Sequence, residues 1–358
     1  LVSDSHDKAQ CEANLTVVQS IASLSIVKIK LMEIIMGRIL RTIGVLFTSL
    51  LMLFAAANSA QAGKIRIALA ETPSDELAAF FVALDRAKAM GLDYEWTAFS
   101  DEELAIQAIL SGQMDIGFGT PYSVMQKSKA PIRIVFQVSK LKFFPVSSKK
   151  YSKLEDLNGE PIMLHSRGGG TDSIANVIEE KLNIKFGKRS YVPGSSNRVA
   201  ALVAGKADAT IIDLSNKNKL MKIHAGKYNV LPMFEVDASD EALFANLNWI
   251  KANRKDVDIF VKALVSVYRD MAKDPTIISR ETNPKGPIGQ LPKEVLGNLD
   301  KFYSDAVEGG LYDPNGGGLK AAKADLEWYS KAGQLTGDAA SLKIEDFWYM
   351  EPLNNATK

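Results

Sequence analysis

The sequence predicts a two-lobed α/β protein, each lobe a mainly parallel sheet flanked by helices, the two joined by two crossing strands. Three observations carry this. Strands and helices alternate from residue 64 onward, which calls for parallel strands with helices on both faces. The order strand, loop, helix, strand, loop, helix, Gly, strand runs once from residue 64 and again from residue 160. Each copy closes on the same phrase, AILSGQMDIGFGTP (108–121) and ALVAGKADATIIDL (201–214), with Gly112 and Asp115 in the places of Gly205 and Asp208.

In the first copy, KIRIALA (64–70) reads as a strand and SDELAAFFVALDRAKAM (74–90) as a helix, with Ser74 as cap, an acidic first turn and Gly91 at its end. YEWTAF is the next strand. SDEELAIQAILS carries Leu104, Ala105, Ala108 and Ile109 on one helical stripe, Gly112 stops that helix, and DIGFG is a short buried strand. The second copy repeats this as PIMLH, the loop SRGGGTDS, the helix SIANVIEEKL, RSYV, the loop PGSSN, the helix RVAALVA, Gly205 and ATIID. Between the copies, 132–148 is long and β-rich and suits a strand crossing from one lobe to the other; 241–253 suits the return. The remaining C-terminal part reads as helices that pack back on the first lobe. Lobe I is therefore expected over 63–137 and 250–358, and lobe II over 138–249.

Composition is that of an ordinary globular protein, 46% hydrophobic and 24% charged, with a net charge of +1. That balance offers neither a nucleic-acid surface nor a polybasic membrane patch. Residues 36–62 have the form of a cleaved signal peptide: Arg38 and Arg41 precede an apolar stretch from Thr42 to Ala57, which closes on Ala60-Gln61-Ala62. Residues 1–35 read as an upstream, non-native extension. The single cysteine, Cys11, lies there, so the chain from Gly63 has no disulfide, thiol nucleophile or cysteine metal ligand. A periplasmic location and a monomer are expected.

The phrases AILSGQMDIGFGTP, YSKLEDLNGEPIMLHSRGGGTDS, VAALVAGKADATIID and LEWYSKAGQL, in this order behind a signal peptide, resemble the substrate-binding proteins of bacterial ABC importers. The resemblance is to the family that handles nitrate, sulfonates, taurine and thiamine-pyrimidine precursors, and it covers residues 64–348. It implies the type II periplasmic-binding-protein fold, a small-molecule ligand held between the lobes, delivery to an inner-membrane permease with its cytoplasmic ATPase, no cofactor and no reaction. Where the family often has a Gly-Tyr pair after the first strand, this chain has ALAETPS.

Ligands of open parallel sheets bind beyond the carboxyl ends of the strands, which points to the loops around Glu71, Thr72, Ser100, Thr120, Pro121 and Tyr122 in one lobe. In the other it points to Arg167, Gly169, Gly170, Thr171, Ser195, Ser196, Arg198 and Asp213. Three glycines before a helix let backbone N–H groups approach an anion, and the helix end adds its dipole. That dipole contributes about 0.3–1 kcal/mol, far below the roughly 8 kcal/mol of a micromolar ligand. Hydroxyls of Thr171, Ser195 and Ser196 and a bidentate Arg198 or Arg167 are expected to contribute the rest, or else the loop is a plain turn with solvated arginines. Glu71 and Asp213 either receive an N–H donor or pair with the arginines. Tyr122 stacks on a flat ligand or belongs to the core, as do Phe143 and Phe144, and Gln137 is a hinge or site residue.

A small organic anion, a sulfonate or aromatic carboxylate, is the expected ligand, with an uncharged thiamine-pyrimidine precursor as the alternative. His165 and His224 are 59 residues apart, too isolated for a metal site or a catalytic triad. GGG has neither dinucleotide-fold spacing nor a P-loop lysine. An exported enzyme or a sensor module on the same fold remain the readings from other classes.

Overall fold

A computed structural model describes residues 64–70, 72–99, 102–167 and 169–358. The extension 1–35, the signal peptide 36–62, and the site candidates Glu71 and Ser100 lie outside the described residues. The first sheet begins with β1 (Ile65–Leu69), α1 (Ala78–Ala89), β2 (Tyr94–Ala98), α2 (Glu102–Leu110), β3 (Ile116–Gly119), α3 (Tyr122–Ser128) and β4 (Ile132–Lys140). The second is built from β5 (Phe144–Ser148), β6 (Ile162–Leu164), α4 (Gly170–Leu182), β7 (Arg189–Tyr191), α5 (Ser195–Val203), β8 (Ala209–Ile212), α6 (Leu214–Ile223) and β9 (Tyr228–Val230). The chain then returns as β10 (Ser239–Asn246) and ends in helices, among them α7 (Leu247–Ala252), α8 (Arg254–Lys273), α9 (Ile277–Glu281), α10 (Lys293–Leu296), α11 (Leu299–Glu308), α12 (Gly318–Lys331) and α13 (Glu351–Thr357).

The strand orders are β2-β1-β3-β10-β4 and β7-β6-β8-β5-β9. In each, three parallel strands come from one copy of the repeat: β1 pairs with β2 and β3, and β6 with β7 and β8. The two Gly residues of the repeated phrase do the same job, since Gly112 and Gly205 both take a left-handed φ, 73° and 68°, just past the helix end.

The crossing regions differ from expectation. Residues 132–148 are two strands, β4 in the first sheet and β5 in the second, with 141–143 between them. Residues 241–253 do not cross. Their first part belongs to β10, which lies antiparallel between β3 and β4, and the rest is α7. The return is the irregular stretch 231–238, so the first sheet regains the chain at Ser239, not at residue 250. The run Ala242–Ala245 is buried throughout, as a central strand requires, and nothing in its own pattern names the sheet it joins.

Helix α1 starts at Ala78, and Ser74 to Leu77 form a turn ahead of it, with Leu77 N–H donating to the Ser74 carbonyl at 3.3 Å. Asp75 and Glu76, expected in the first helical turn, therefore stand outside the helix. The C-terminal helices pack on the first sheet as expected: Phe80 of α1 meets Phe260 of α8 edge to face, ring centres 5.7 Å apart.

The two aspartates of the repeat are not equivalent. Asp115 is 7% exposed and accepts from Arg66 N (2.9 Å), Nε (3.0 Å) and Nη2 (2.7 Å), tying the start of β3 to β1. Asp208 is exposed. Asp115→Ala should lower unfolding free energy in urea by about 1–3 kcal/mol, because the Arg66 N–H loses its acceptor, whereas Asp208→Ala should change it by less than about 0.5 kcal/mol.

Candidate functional site

One cleft gathers residues from the carboxyl ends of strands in both sheets, as open α/β sheets favour. It encloses about 420 Å³ of unfilled space, open to solvent. The first half contributes Glu76 and Leu77 ahead of α1, Phe118 of β3, and Leu311 with Tyr312 after α11. The second half contributes Asp213 and Leu214 at the start of α6. Across the base run Val138, Ser139, Lys142 and Phe143 of the outgoing crossing, with Asp240 and Glu241 of the returning strand.

This lining is acidic. Glu76, Asp213, Asp240 and Glu241 face a single ammonium, Lys142, which itself lies 3.2 Å from Glu235. Asp75 stands beside them with its carboxyl pushed up by burial; the Ser215 hydroxyl pulls it down and the charge of Asp213 pushes it up again. Carboxylates so placed favour a group that brings N–H donors or a positive charge.

The second-half candidates do come together, largely as partners of each other. Arg198 is 1% exposed. Its Nε and Nη2 donate to the Ile211 carbonyl (3.2 and 2.9 Å), Nη1 to the Val192 carbonyl (3.1 Å), and Nη2 also to Ser195 Oγ (2.9 Å). A bidentate ligand contact would need donors that this arginine has already given to the backbone, so it is placed as a fastener of β7, β8 and α5. Burial pulls its guanidinium down to about 10, opposed by Asp213.

Ser195 Oγ also accepts the Asp213 N–H at 3.4 Å, and Asp213 caps α6 by accepting from Asn216 N at 2.7 Å. Thr171 is buried, and its Oγ1 accepts from His165 N at 2.8 Å. His165 Nδ1 accepts from Gly194 N at 3.2 Å. Arg167 is exposed and lies 5.2 Å over the Tyr191 ring, and Ser196 is exposed. Gly169 accepts from Ser173 N at 3.0 Å. Gly170 comes nearest the cleft: a Cβ there would lie 3.8 Å from Asp240 Oδ1.

The first-half candidates face inward. Thr120 donates through N–H and hydroxyl to Glu102 Oε1, and Pro121 is buried, its carbonyl accepting from Met125 N at 2.8 Å. Tyr122 is fully buried, stacks on Tyr329 at 4.5 Å and donates its hydroxyl to Asp325. Gln137 is 1% exposed and donates to Ser239 Oγ and the Asp237 carbonyl, both at 3.1 Å, which makes it a fastener of the two crossings. Thr72 is exposed.

Of the predicted residues, Asp213 lines the cleft and Gly170 borders it. Sequence reasoning missed Glu76, Lys142, Asp240 and Glu241. The one available signal was SDEL directly after the first strand's loop, which helix-start rules read as dipole chemistry. Among the described residues no group of three or more His, Cys, Asp or Glu is placed to hold a metal ion, and no helix is long and apolar enough to cross a membrane.

The family model described as NMT1/THI5 like matches residues 76–277. No curated protein matches the chain by sequence. Among solved structures, a protein from Bordetella bronchiseptica RB50 is similar at TM-score 0.64 and 19% identity, covering 82% of this chain and 96% of that one. The periplasmic nitrate-binding protein NrtA from Synechocystis PCC 6803 is similar at TM-score 0.60 and 11% identity, covering 82% and 88%. The alkanesulfonate-binding protein SsuA from Xanthomonas axonopodis pv. citri, bound to MOPS, is similar at TM-score 0.56 and 16% identity, covering 78% and 96%. The fold is that of the type II periplasmic binding proteins.

Two predictions follow from the buried partners. Arg198→Ala should cost at least about 2 kcal/mol of stability, since it strips donors from two buried carbonyls, and Arg167→Ala less than about 1 kcal/mol, the worth of an exposed cation–π contact; thermal melts compare them. Asp325, fully buried, has its carboxyl raised to about 6 by burial despite donors from Ser239 and Tyr122. The folded state therefore holds that proton more tightly than the unfolded chain, whose Asp titrates near about 3.9. Relative to Asp325→Asn, the parent should gain stability as pH falls from about 7 to about 4, measured as a difference in urea midpoints.

Proposed function

The chain belongs to the NMT1/THI5-like family, and from that premise we propose that it is the periplasmic solute-binding component of an ABC importer. It binds and does not catalyse: two halves close over a small molecule and hand it to a membrane permease with its ATPase, the ligand stabilising the closed arrangement because only there do both halves touch it. The observation that carries this is the cleft at the carboxyl ends of both sheets, based on the two crossings. The apolar stretch Thr42 to Ala57 behind Arg38 and Arg41 supports export.

The ligand is a small molecule with an N–H-bearing or cationic edge. Four carboxylates in the lining favour such an edge. The nitrate- and sulfonate-binding names of similar structures support an acidic group as well, for which Lys142 and the N–H groups at the start of α6 are suited. Two chemistries meet both demands: an aminosulfonate, its ammonium on the carboxylates and its sulfonate toward Lys142, or an aminopyrimidine-type ring whose nitrogens face the carboxylates.

Calorimetric titration with 2-aminoethanesulfonate, ethanesulfonate, benzoate and 4-aminopyrimidine separates these. An amino-bearing compound should bind at least tenfold more tightly than ethanesulfonate, and Glu76→Gln should remove about 1.4 kcal/mol of that advantage. Equal binding of ethanesulfonate would sink the N–H reading and leave a plain anion receptor.

A further inference from the structure

The two halves of the cleft are hydrogen-bonded directly to each other. Ser215 Oγ on α6 donates to Asp75 Oδ2, ahead of α1, at 2.8 Å. Further along the same helix, Asn218 Nδ2 donates to Asp305 Oδ2 of α11 at 2.9 Å. The second contact has its charge compensated on the spot, because Lys301 Nζ lies 2.7 Å from Asp305. No such cation accompanies the first among the described ion pairs. Asp75 instead meets Asp213, which caps the helix that carries Ser215, so shutting the cleft drives one carboxylate toward another.

We infer that the Asp75–Ser215 contact is a charge-gated latch, which holds the halves together when a proton or a ligand cation neutralises the Asp75–Asp213 pair and releases them when both carboxylates are bare. A protonated Asp75 still offers its carbonyl oxygen to the Ser215 hydroxyl while the repulsion from Asp213 is gone. Burial of Asp75 works in the same sense.

The remaining groups around it do not provide an alternative switch. Tyr303 of α11 donates its hydroxyl to the Asp75 carbonyl at 2.9 Å, and Tyr312 donates to the Glu76 carbonyl at 3.4 Å; burial holds both phenols far above the usual range, so they stay neutral throughout. Lys142, Asp240 and Glu241 complete the charge lining the cleft base. The latch takes from the proposed function only that these halves close on each other, and its pH arm involves no ligand.

The test uses the full chain carrying Cys11→Ser with spin labels at Leu104→Cys and Ile223→Cys, two exposed positions on opposite halves. Pulsed electron–electron distances are measured at pH 5 and pH 8 without ligand. The short-distance population of the parent should fall at least threefold on going to pH 8. Asp75→Asn should keep it high at both values, and Ser215→Ala, which removes the hydroxyl and no charge, should keep it low at both. A parent distribution that ignores pH, an Asp75→Asn protein that follows the parent, or an unchanged Ser215→Ala protein overturns the latch. Since Ser215→Ala tests it independently, a poorly folding Asp75→Asn protein does not rescue it. None of these outcomes depends on the ligand class, which the calorimetry decides separately.

Discussion

Every polar atom of Ser239 is gripped. Its N–H and hydroxyl both donate to the buried carboxylate of Asp325, its Oγ accepts from Gln137, and its carbonyl accepts from Tyr329 at 2.6 Å. The residue stands where the chain re-enters the first sheet, so α12 and β4 together fix the point from which β10 is laid down between β3 and β4. Lys140 and Lys320, both paired with Asp237, reinforce the same spot from outside. A buried carboxylate is costly unless its hydrogen bonds are satisfied, and Asp325 is satisfied from three elements at once. The outgoing and returning crossings are thus anchored at one level, and the second sheet hangs from that anchor.

This anchoring explains why the candidate aromatics and amides of the first half turned inward. Tyr122 follows β3, where loops of this architecture ordinarily reach ligand, yet its hydroxyl completes the Asp325 cluster together with the Trp348 indole N–H at 3.1 Å. Trp348 comes from the far C-terminus, and no local pattern around GTPY announces it. Gln137 is similar: its partners Asp237 and Ser239 lie about one hundred residues away in the chain. Position after a strand was readable in the sequence, whereas the long-range partner that decides direction was not.

Much of the frame was legible for a physical reason. Gly112 and Gly205 mark helix ends because a left-handed residue is cheapest there, and that constraint acts locally, so both sheets' parallel cores could be counted from the chain alone. The crossings were less legible. A buried central strand such as Ala242–Ala245 is apolar whichever sheet receives it, so its neighbours are fixed by packing. The site was least legible. Arg198 and the serines near it have the composition of an anion cradle, and the same donors equally suit buried carbonyls; Asp75 and Glu76 have the composition of a helix start, and one turn's delay in α1 leaves them facing the cleft instead.

The placement of β10 also sets the order in which the molecule can be assembled. Gly119 must find Ala242, and Phe136 must find Leu243, before the first sheet is continuous. A chain delivered from its N-terminus holds β3 and β4 unbridged until residue 246 has emerged, while the second sheet is complete within residues 144–230. Loops that long close slowly. The N-terminal half is accordingly the last to finish, and its unbridged apolar strand edges are the surface most exposed to aggregation in the interval.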